Sequence, residues 1–180
     1  MSQRPRIIVT RRLPKPVEDL LTARYDAVLN TDDHQFSADE LGQALRNADI
    51  VLCTLTDRLT GEVFAAAHPI RARLLANFGV GFDHIDLAAA RAAGIVVTNT
   101  PGVLTEDTAD LTMLLILAVA RRASEGEREL RAGRWTGWRP THLLGTRVSG
   151  ATLGIVGFGR IGQAVALRAH RGFGMSVRYV

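Results

Sequence analysis

Gly157-Phe158-Gly159-Arg160-Ile161-Gly162 carries glycines at the spacing of a phosphate-cradling turn, directly after an apolar run and at the head of a helical pattern. In such a turn Gly157 permits the tight bend and Gly159 lets a pyrophosphate approach the backbone. Gly162 lets the helix pack closely on its strand, and the free N–H groups at the helix start face the anion. Glycine-rich turns also serve only to reverse a chain. Here strand, turn, helix and second strand follow in order, which favours dinucleotide binding through 157–162. The acidic residue that would read the adenosine ribose is expected roughly 20 residues further on, at or beyond Val180, so NAD and NADP both stay open. A second glycine pair, Gly79 and Gly81, follows the apolar run at 74–78. Its amides suit an anion-binding nest, or the glycines merely shape a strand-to-helix turn.

The other reactive residue types form no constellation. His84 lies between Asp83 and Asp86, but neighbouring residues at a turn point in different directions, so the reading is a solvated turn and no metal site. His34, His68, His142 and His170 have no partner pattern. Cys53 sits in an apolar strand with no basic neighbour and is expected to be buried and inert.

The elements that must position these groups alternate between strand and helix. Apolar runs at 7–9, 27–29, 50–53, 74–78 and 95–97 read as strands. Between them, Val17, Leu20 and Leu21 share one helical face, and Ser37 with Glu40 forms a capping box with Phe36 stapled onto Leu41 in a helix that ends near Asn47. Helices are also expected at 60–68 and at 87–93, the latter closed by Gly94. Five strands with helical crossovers make one doubly wound α/β domain. A long helix begins near Thr105, with Glu106 and Asp107 suiting its dipole and an apolar core at 111–120. A charged helix or arm follows after Arg122, holding Trp135 and Trp138 among glycines. The second α/β unit reads as a strand at 152–156, the glycine turn, a helix from about Ile161 to His170 stopped by Gly172 and Gly174, and a strand at 176–180. A unit of about 30 residues cannot offset its own ordering entropy, so the expectation is a second domain cut off after its first βαβ unit. The expected division is 1–100, a crossover helix and arm at 101–146, and 147–180.

Composition excludes several classes. With 47% hydrophobic and 22% charged residues, the 180-residue chain has material for a packed core and is not disordered. The longest apolar stretch, 111–120, is interrupted by Thr112 and falls short of the about 20 residues that a membrane span needs. One cysteine excludes a disulfide scaffold and fits a reducing cytoplasm, and residues 1–6 lead into a short apolar run with no signal-peptide pattern. The 22 basic and 18 acidic residues give +4, with Lys15 the sole lysine. The only adjacent basic pairs are Arg11-Arg12 and Arg121-Arg122, so a nucleic-acid partner is not expected.

Four blocks in order, NFGVGFDHID at 77–86, GIVVTNTPG at 94–102, VLTEDTAD at 103–110 and LGIVGFGRIG at 153–162, resemble the D-isomer-specific 2-hydroxyacid dehydrogenases, especially the glyoxylate and hydroxypyruvate reductases. The resemblance covers nearly the whole chain. It implies a flavodoxin-like parallel-sheet substrate domain, then the first βαβ unit of a Rossmann NAD(P)-binding domain, with the family's C-terminal helix returning to complete the first domain. It further implies that the N–H groups of Val80 and Gly81 hold the carboxylate of a small 2-keto acid or 2-hydroxy acid, with Leu55 lining the same cleft. Thr108 would sit against the nicotinamide half of NAD or NADP, although spacing alone reads it as a helix-start threonine. The family's catalytic arginine, glutamate and histidine all fall later than Val180. No catalytic residue is therefore assigned, and the 180 residues alone are expected to be inactive.

Trp135 and Trp138 are costly to leave in water and are typical interface anchors, unless both fold back onto their own domain. The resemblance favours the interface: the family pairs as homodimers, and a tryptophan at the position of Trp138 reaches the partner's active site. The rival reading of the chain is a non-catalytic, dinucleotide-responsive binding or dimerisation module.

Overall fold

Ile7 and Val9 pack toward one helix layer and Ile8 toward the other, the alternation that a strand buried on both faces requires. In the computed structural model, which describes residues 4–180, this strand is the second of five parallel strands. In chain order the elements are β1 (Arg6–Val9), α1 (Lys15–Arg24), β2 (Asp26–Val28), α2 (Ala38–Asn47), β3 (Ile50–Thr54), α3 (Gly61–Ala66), β4 (Leu74–Phe78), α4 (Leu87–Ala92) and β5 (Val96–Thr98). The sheet order β2-β1-β3-β4-β5 is that of the flavodoxin-like doubly wound folds. Register is continuous across the centre, with Val51 opposite both Ile8 and Leu75.

One sheet face is closed by three helices. Leu41 and Leu45 of α2, Val63 and Phe64 of α3 and Ala90 of α4 surround Val51, Cys53 and Leu75. Each fully buried Leu or Val there contributes about 1.5–3 kcal/mol. The capping box forms as the sequence requires: Ser37 Oγ accepts from the Glu40 N–H, and Glu40 accepts from the Ser37 N–H at 2.7 Å. Those bonds from Ser37, with His34 alongside, pull the Glu40 carboxyl down to about 2. Within the first unit, among the described residues, the helix on the opposite face is α1. Leu21 packs there with Ile7, Val9 and Leu13, but Leu20 points outward, so the expected three-residue face of α1 is only partly used. Val17 instead lines an apolar groove of about 250 Å³ with Leu52, Ala76 and Phe78.

Boundaries move where backbone bonds dictate. The third helix is shorter than the expected 60–68, because the Ala67 N–H already turns back to Val63 and Phe64 and Pro69 follows His68. The fifth strand starts one residue late, because the Ile95 N–H is bound to the Ala90 carbonyl as part of the helix exit.

A second compact unit spans Gly102–Val180. It contains α5 (Thr105–Ala120), α6 (Ala123–Arg131), β6 (Thr152–Ile155), α7 (Arg160–Phe173) and β7 (Ser176–Tyr179), with β6 and β7 parallel. Gly172 lies inside α7, and the stop belongs to Gly174 alone, which takes the left-handed conformation at φ 61°. Ala109 and Met113 of α5 pack with Val165 and Ala169 of α7 and with Met175. Arg168 joins the two helices, reaching Asp110 at 2.6 Å and Glu106 at 2.8 Å. The segment 101–146 thus lends its long helix to the same core as the βαβ unit. Among the described residues no helix is long and apolar enough to cross a membrane.

Cys53 is fully buried, and burial, helped by the nearby Asp57, pushes its thiol up to about 12. A thiol reagent at about pH 8 is expected to leave the native chain unlabelled and to label it once per molecule in denaturant. Rapid native labelling would mean that β3 opens to solvent.

Candidate functional site

The strand order reverses between β1 and β3, and ligands of open parallel sheets bind outside the carboxyl ends at such a point. Three short segments meet at that edge. Asp57, buried, accepts the Thr54 N–H at 2.7 Å and the Thr10 hydroxyl, tying the ends of β3 and β1. This turn presents Leu55, 56% exposed, over the loop that follows β4. A Cβ on Gly79 would lie 2.9 Å from Leu55 Cγ, so glycine is what allows the leucine to settle there. The structure thereby sets Leu55 against Gly79, the residue that precedes Val80 and Gly81 in the same loop.

The carbonyls of this loop are all engaged. Gly79 O accepts the Thr100 N–H at 3.0 Å, Val80 O accepts Asn99 Nδ2 at 2.8 Å, and Gly81 O accepts Asn77 Nδ2 at 2.8 Å. The N–H groups of Val80 and Gly81 donate to no acceptor among the described residues. A loop with its acceptors satisfied and its donors free is chemically suited to an anion.

His84 departs from the expected solvated turn. Its ring is half-buried, with Nε2 3.1 Å from Asn77 Oδ1. The cause is a parallel bridge between Leu59 and Ile85, in which the Leu59 N–H bonds the His84 carbonyl at 2.9 Å and draws the segment inward. Burial holds the imidazole below its ordinary value, against the opposing pull of Asp57 and Asp83. His34 and His142 also find the carboxylates that the sequence pattern did not reveal. His34 bonds Asp32 and then Glu40, each at 3.0 Å, which raises its pKa, and His142 lies 2.9 Å from Glu129. His170 meets only a backbone carbonyl, that of Met175. Among the described residues no group of three or more His, Cys, Asp or Glu side chains is placed to hold a metal.

In the second unit the glycine turn is built as its spacing requires. Gly157 takes φ 90°, open to glycine and strained for other residues, and its N–H is used by the Val180 carbonyl at 3.1 Å. A Cβ at Gly162 would strike the Gly157 carbonyl oxygen, whereas one at Gly159 would meet nothing within 4 Å. The first backbone bond of α7 runs from Gln163 to Gly159, so the N–H groups of Arg160, Ile161 and Gly162 precede any intrahelical acceptor. Phe158 turns its ring away to stack on Tyr179 at 3.9 Å, leaving only its backbone in the turn. The site so formed could take an anion at the open face of Gly159. Thr108 stands in the first turns of α5, flanked by the two carboxylates that Arg168 holds, and its carbonyl accepts the Thr112 hydroxyl at 2.7 Å. Trp135 and Trp138 are 51% and 82% exposed, so neither folds back into a core.

Asn77 and Asn99 were not singled out from sequence. The usable signal was an asparagine on the core-facing side of a strand just ahead of a glycine pair, since a polar group buried there needs partners.

These two units define an α/β protein of the doubly wound, parallel-sheet type. Residues 7–173 match the D-isomer specific 2-hydroxyacid dehydrogenase catalytic domain, and the chain belongs to that family. It is 41% identical over 180 residues to the glyoxylate reductase of Thermococcus onnurineus, covering 98% of this chain and 53% of that protein. It is 40% identical over 174 residues to the glycerate dehydrogenase of Hyphomicrobium methylovorum, covering 97% and 53%. Among solved structures, the NADPH-dependent glyoxylate/hydroxypyruvate reductase of Sinorhizobium meliloti, in complex with citrate, superposes with a TM-score of 0.78 at 35% identity, covering 98% of this chain and 54% of that one. A protein of Thermus thermophilus superposes with a TM-score of 0.85 at 47% identity, covering 97% and 55%. The chain therefore spans about half the length of the curated relatives it matches.

The two glycines of the turn separate by substitution. Gly162→Ala forces backbone apart and is expected to destabilise the chain by about 1–3 kcal/mol in chemical denaturation. Gly159→Ala, with open space for its methyl group, is expected to leave the midpoint unchanged. A large loss at Gly159 would mean that its surroundings are closed.

Proposed function

We propose that the protein is a nicotinamide-dependent oxidoreductase interconverting a small 2-keto acid, of the glyoxylate or hydroxypyruvate type, and the corresponding D-2-hydroxy acid. The observation that carries this reading is the loop at 79–81, whose carbonyls are all bonded while the Val80 and Gly81 N–H groups stay free. Those two donors bind the carboxylate, and Leu55 shapes the apolar side of the same pocket. The named activities of the relatives support the substrate class.

The turn 157–162, the start of a Rossmann domain, holds the pyrophosphate of NAD or NADP. Arg160, Ile161 and Gly162 donate N–H groups, Gly159 leaves room, Gly157 sets the bend, and Phe158 contributes backbone only. Thr108 lies on the nicotinamide side. The bound dinucleotide supplies or accepts the hydride. The chain's own residues bind and orient, and we place the family's proton-donating histidine, its glutamate and the polarising arginine in the half of the relatives' length that this chain does not span. The setting is the reducing cytoplasm.

We further propose a homodimer built on 102–146. The face of α5 away from α7 carries exposed Leu111, Leu114, Leu115 and Val119, a stripe that needs cover, and the arm beyond α6 presents both tryptophans. Trp138 shapes the neighbouring subunit's substrate pocket.

The full-length protein is expected to oxidise NADH or NADPH in the presence of glyoxylate or hydroxypyruvate, and residues 1–180 alone to show no turnover. Dinucleotide binding without turnover on any 2-keto acid would replace the enzyme with a binding module, and turnover by the short chain would overturn the placement of the catalytic groups.

Replacing both Trp135 and Trp138 with alanine in the full-length protein should move sedimentation from dimer toward monomer, whereas Trp138→Ala alone should change the preference between the two keto acids. A double variant that sediments as dimer with unchanged preference would make the arm a local packing element.

A further inference from the structure

We infer that Asn99, Asn77 and His84 are positioning residues for carboxylate recognition, fixing the donors of the 79–81 loop by holding its carbonyls. The inference rests on the proposed role of Val80 and Gly81.

The physical basis is the planarity of the peptide group. In a trans peptide the C=O of one residue and the N–H of the next lie in one plane and point opposite ways, so holding the carbonyl aims the following amide. The Gly79 carbonyl, bonded to the Thr100 N–H, therefore sets the Val80 N–H. The Val80 carbonyl, held by Asn99 Nδ2 at 2.8 Å, sets the Gly81 N–H. The Gly81 carbonyl, held by Asn77 Nδ2 at 2.8 Å, closes the loop on its far side, and the same nitrogen lies 3.4 Å from the Gly79 carbonyl. Asn77 thus clamps both glycines. The clamp matters because glycine has the widest backbone freedom of any residue, and two of them flank the single residue Val80. Left unpinned, the amides would have to be ordered by the ligand, at a cost in affinity.

His84 gives the clamp its direction. Asn77 can present either its NH₂ or its oxygen to the loop, and only the NH₂ bonds carbonyls. With both loop contacts made by Nδ2, Oδ1 faces His84 Nε2 at 3.1 Å and needs a donor there. The ring is therefore the Nε2–H tautomer, and burial, which lowers the imidazole from its ordinary value, acts in the same direction. Its own backbone is anchored by the Leu59 N–H. The β3–α3 connection, which carries Leu55, and the anion loop are in this way held by one set of bonds.

The test uses the full-length enzyme with glyoxylate and hydroxypyruvate. Asn99→Ala, at an exposed site, and His84→Leu should each raise KM for the keto acid roughly three- to tenfold, the scale of one lost hydrogen bond. The turnover number should stay within about twofold and the NAD(P)H dissociation constant unchanged, the pattern of lost ground-state binding. His84→Gln, which restores an N–H donor, should return KM toward the starting value, and calorimetric binding of oxalate should follow the same order. Nitrogen-15 spectra of the native enzyme should show His84 protonated at Nε2. Gly81→Pro, which deletes one of the proposed donors, is the reference. If it raises KM while Asn99→Ala and His84→Leu do not, the positioning role is wrong and the site stands. If none of the three raises KM, the site itself is elsewhere and the inference falls with it. Equal losses in His84→Leu and His84→Gln, or an Nδ1–H tautomer, would reduce His84 to a packing residue.

Discussion

Asp57 has no access to solvent, and one of its oxygens receives both the Thr54 N–H and the Thr10 hydroxyl. A buried carboxyl group is tolerated only where such donors converge on it. Here they come from the ends of β1 and β3, the two strands between which the sheet order reverses. Thr10 passes the constraint on: its carbonyl accepts Asn30 Nδ2 at 2.7 Å, and the same nitrogen holds the His34 carbonyl. The carboxyl edge of the sheet is thus stitched by side chains where the ladder bonds run out. Leu55, Gly79 and the amides beyond it occupy their places because that edge cannot shift without stranding several polar groups at once.

Most of the fold was legible because its signals are local. The apolar runs of β1 and β3, the Ser37–Glu40 box and the left-handed exits at Gly94 and Gly174 all act within a few residues, and each of these elements formed within a residue or two of its signal. What was misread depended on partners far along the chain. The face of α1 looked complete from Val17, Leu20 and Leu21, but how much of a helix is buried is decided by what lies opposite, and within the first unit α1 packs on its sheet face through Leu21 while Leu20 stays exposed. The packing of α5 on α7, reached across more than 50 positions, went unread because it has no local mark.

The site divides in the same way. The glycine turn was readable in its backbone geometry, since the positive φ of Gly157 and the close approach of Gly162 to the Gly157 carbonyl are local steric demands, while the space at Gly159 is open. The anion-binding role proposed for the loop at 79–81 was suggested at the level of sequence chiefly by its resemblance to a family. Its spacing allowed a plain turn equally well, and the decisive fact, that three carbonyls find donors at Thr100, Asn99 and Asn77, is a matter of hydrogen bonding in space. His84 shows why a chain neighbourhood can mislead. Its acidic neighbours drew attention, while its actual partner is an asparagine seven positions back on the strand.

Both tryptophans of the chain, Trp135 and Trp138, sit in the exposed arm, and none of the three packed clusters contains one. Indole emission from these 180 residues is therefore a report on the arm alone. Solvent leaving the indoles as a surface is covered would shift the emission maximum to shorter wavelength, whatever happens at the sheets. Conversely, a melting curve of these residues followed by indole fluorescence would pass almost silently through the loss of the parallel sheet. These residues carry an indole gauge at one place, so the loss of their sheets is followed through the backbone, by far-ultraviolet dichroism or calorimetry.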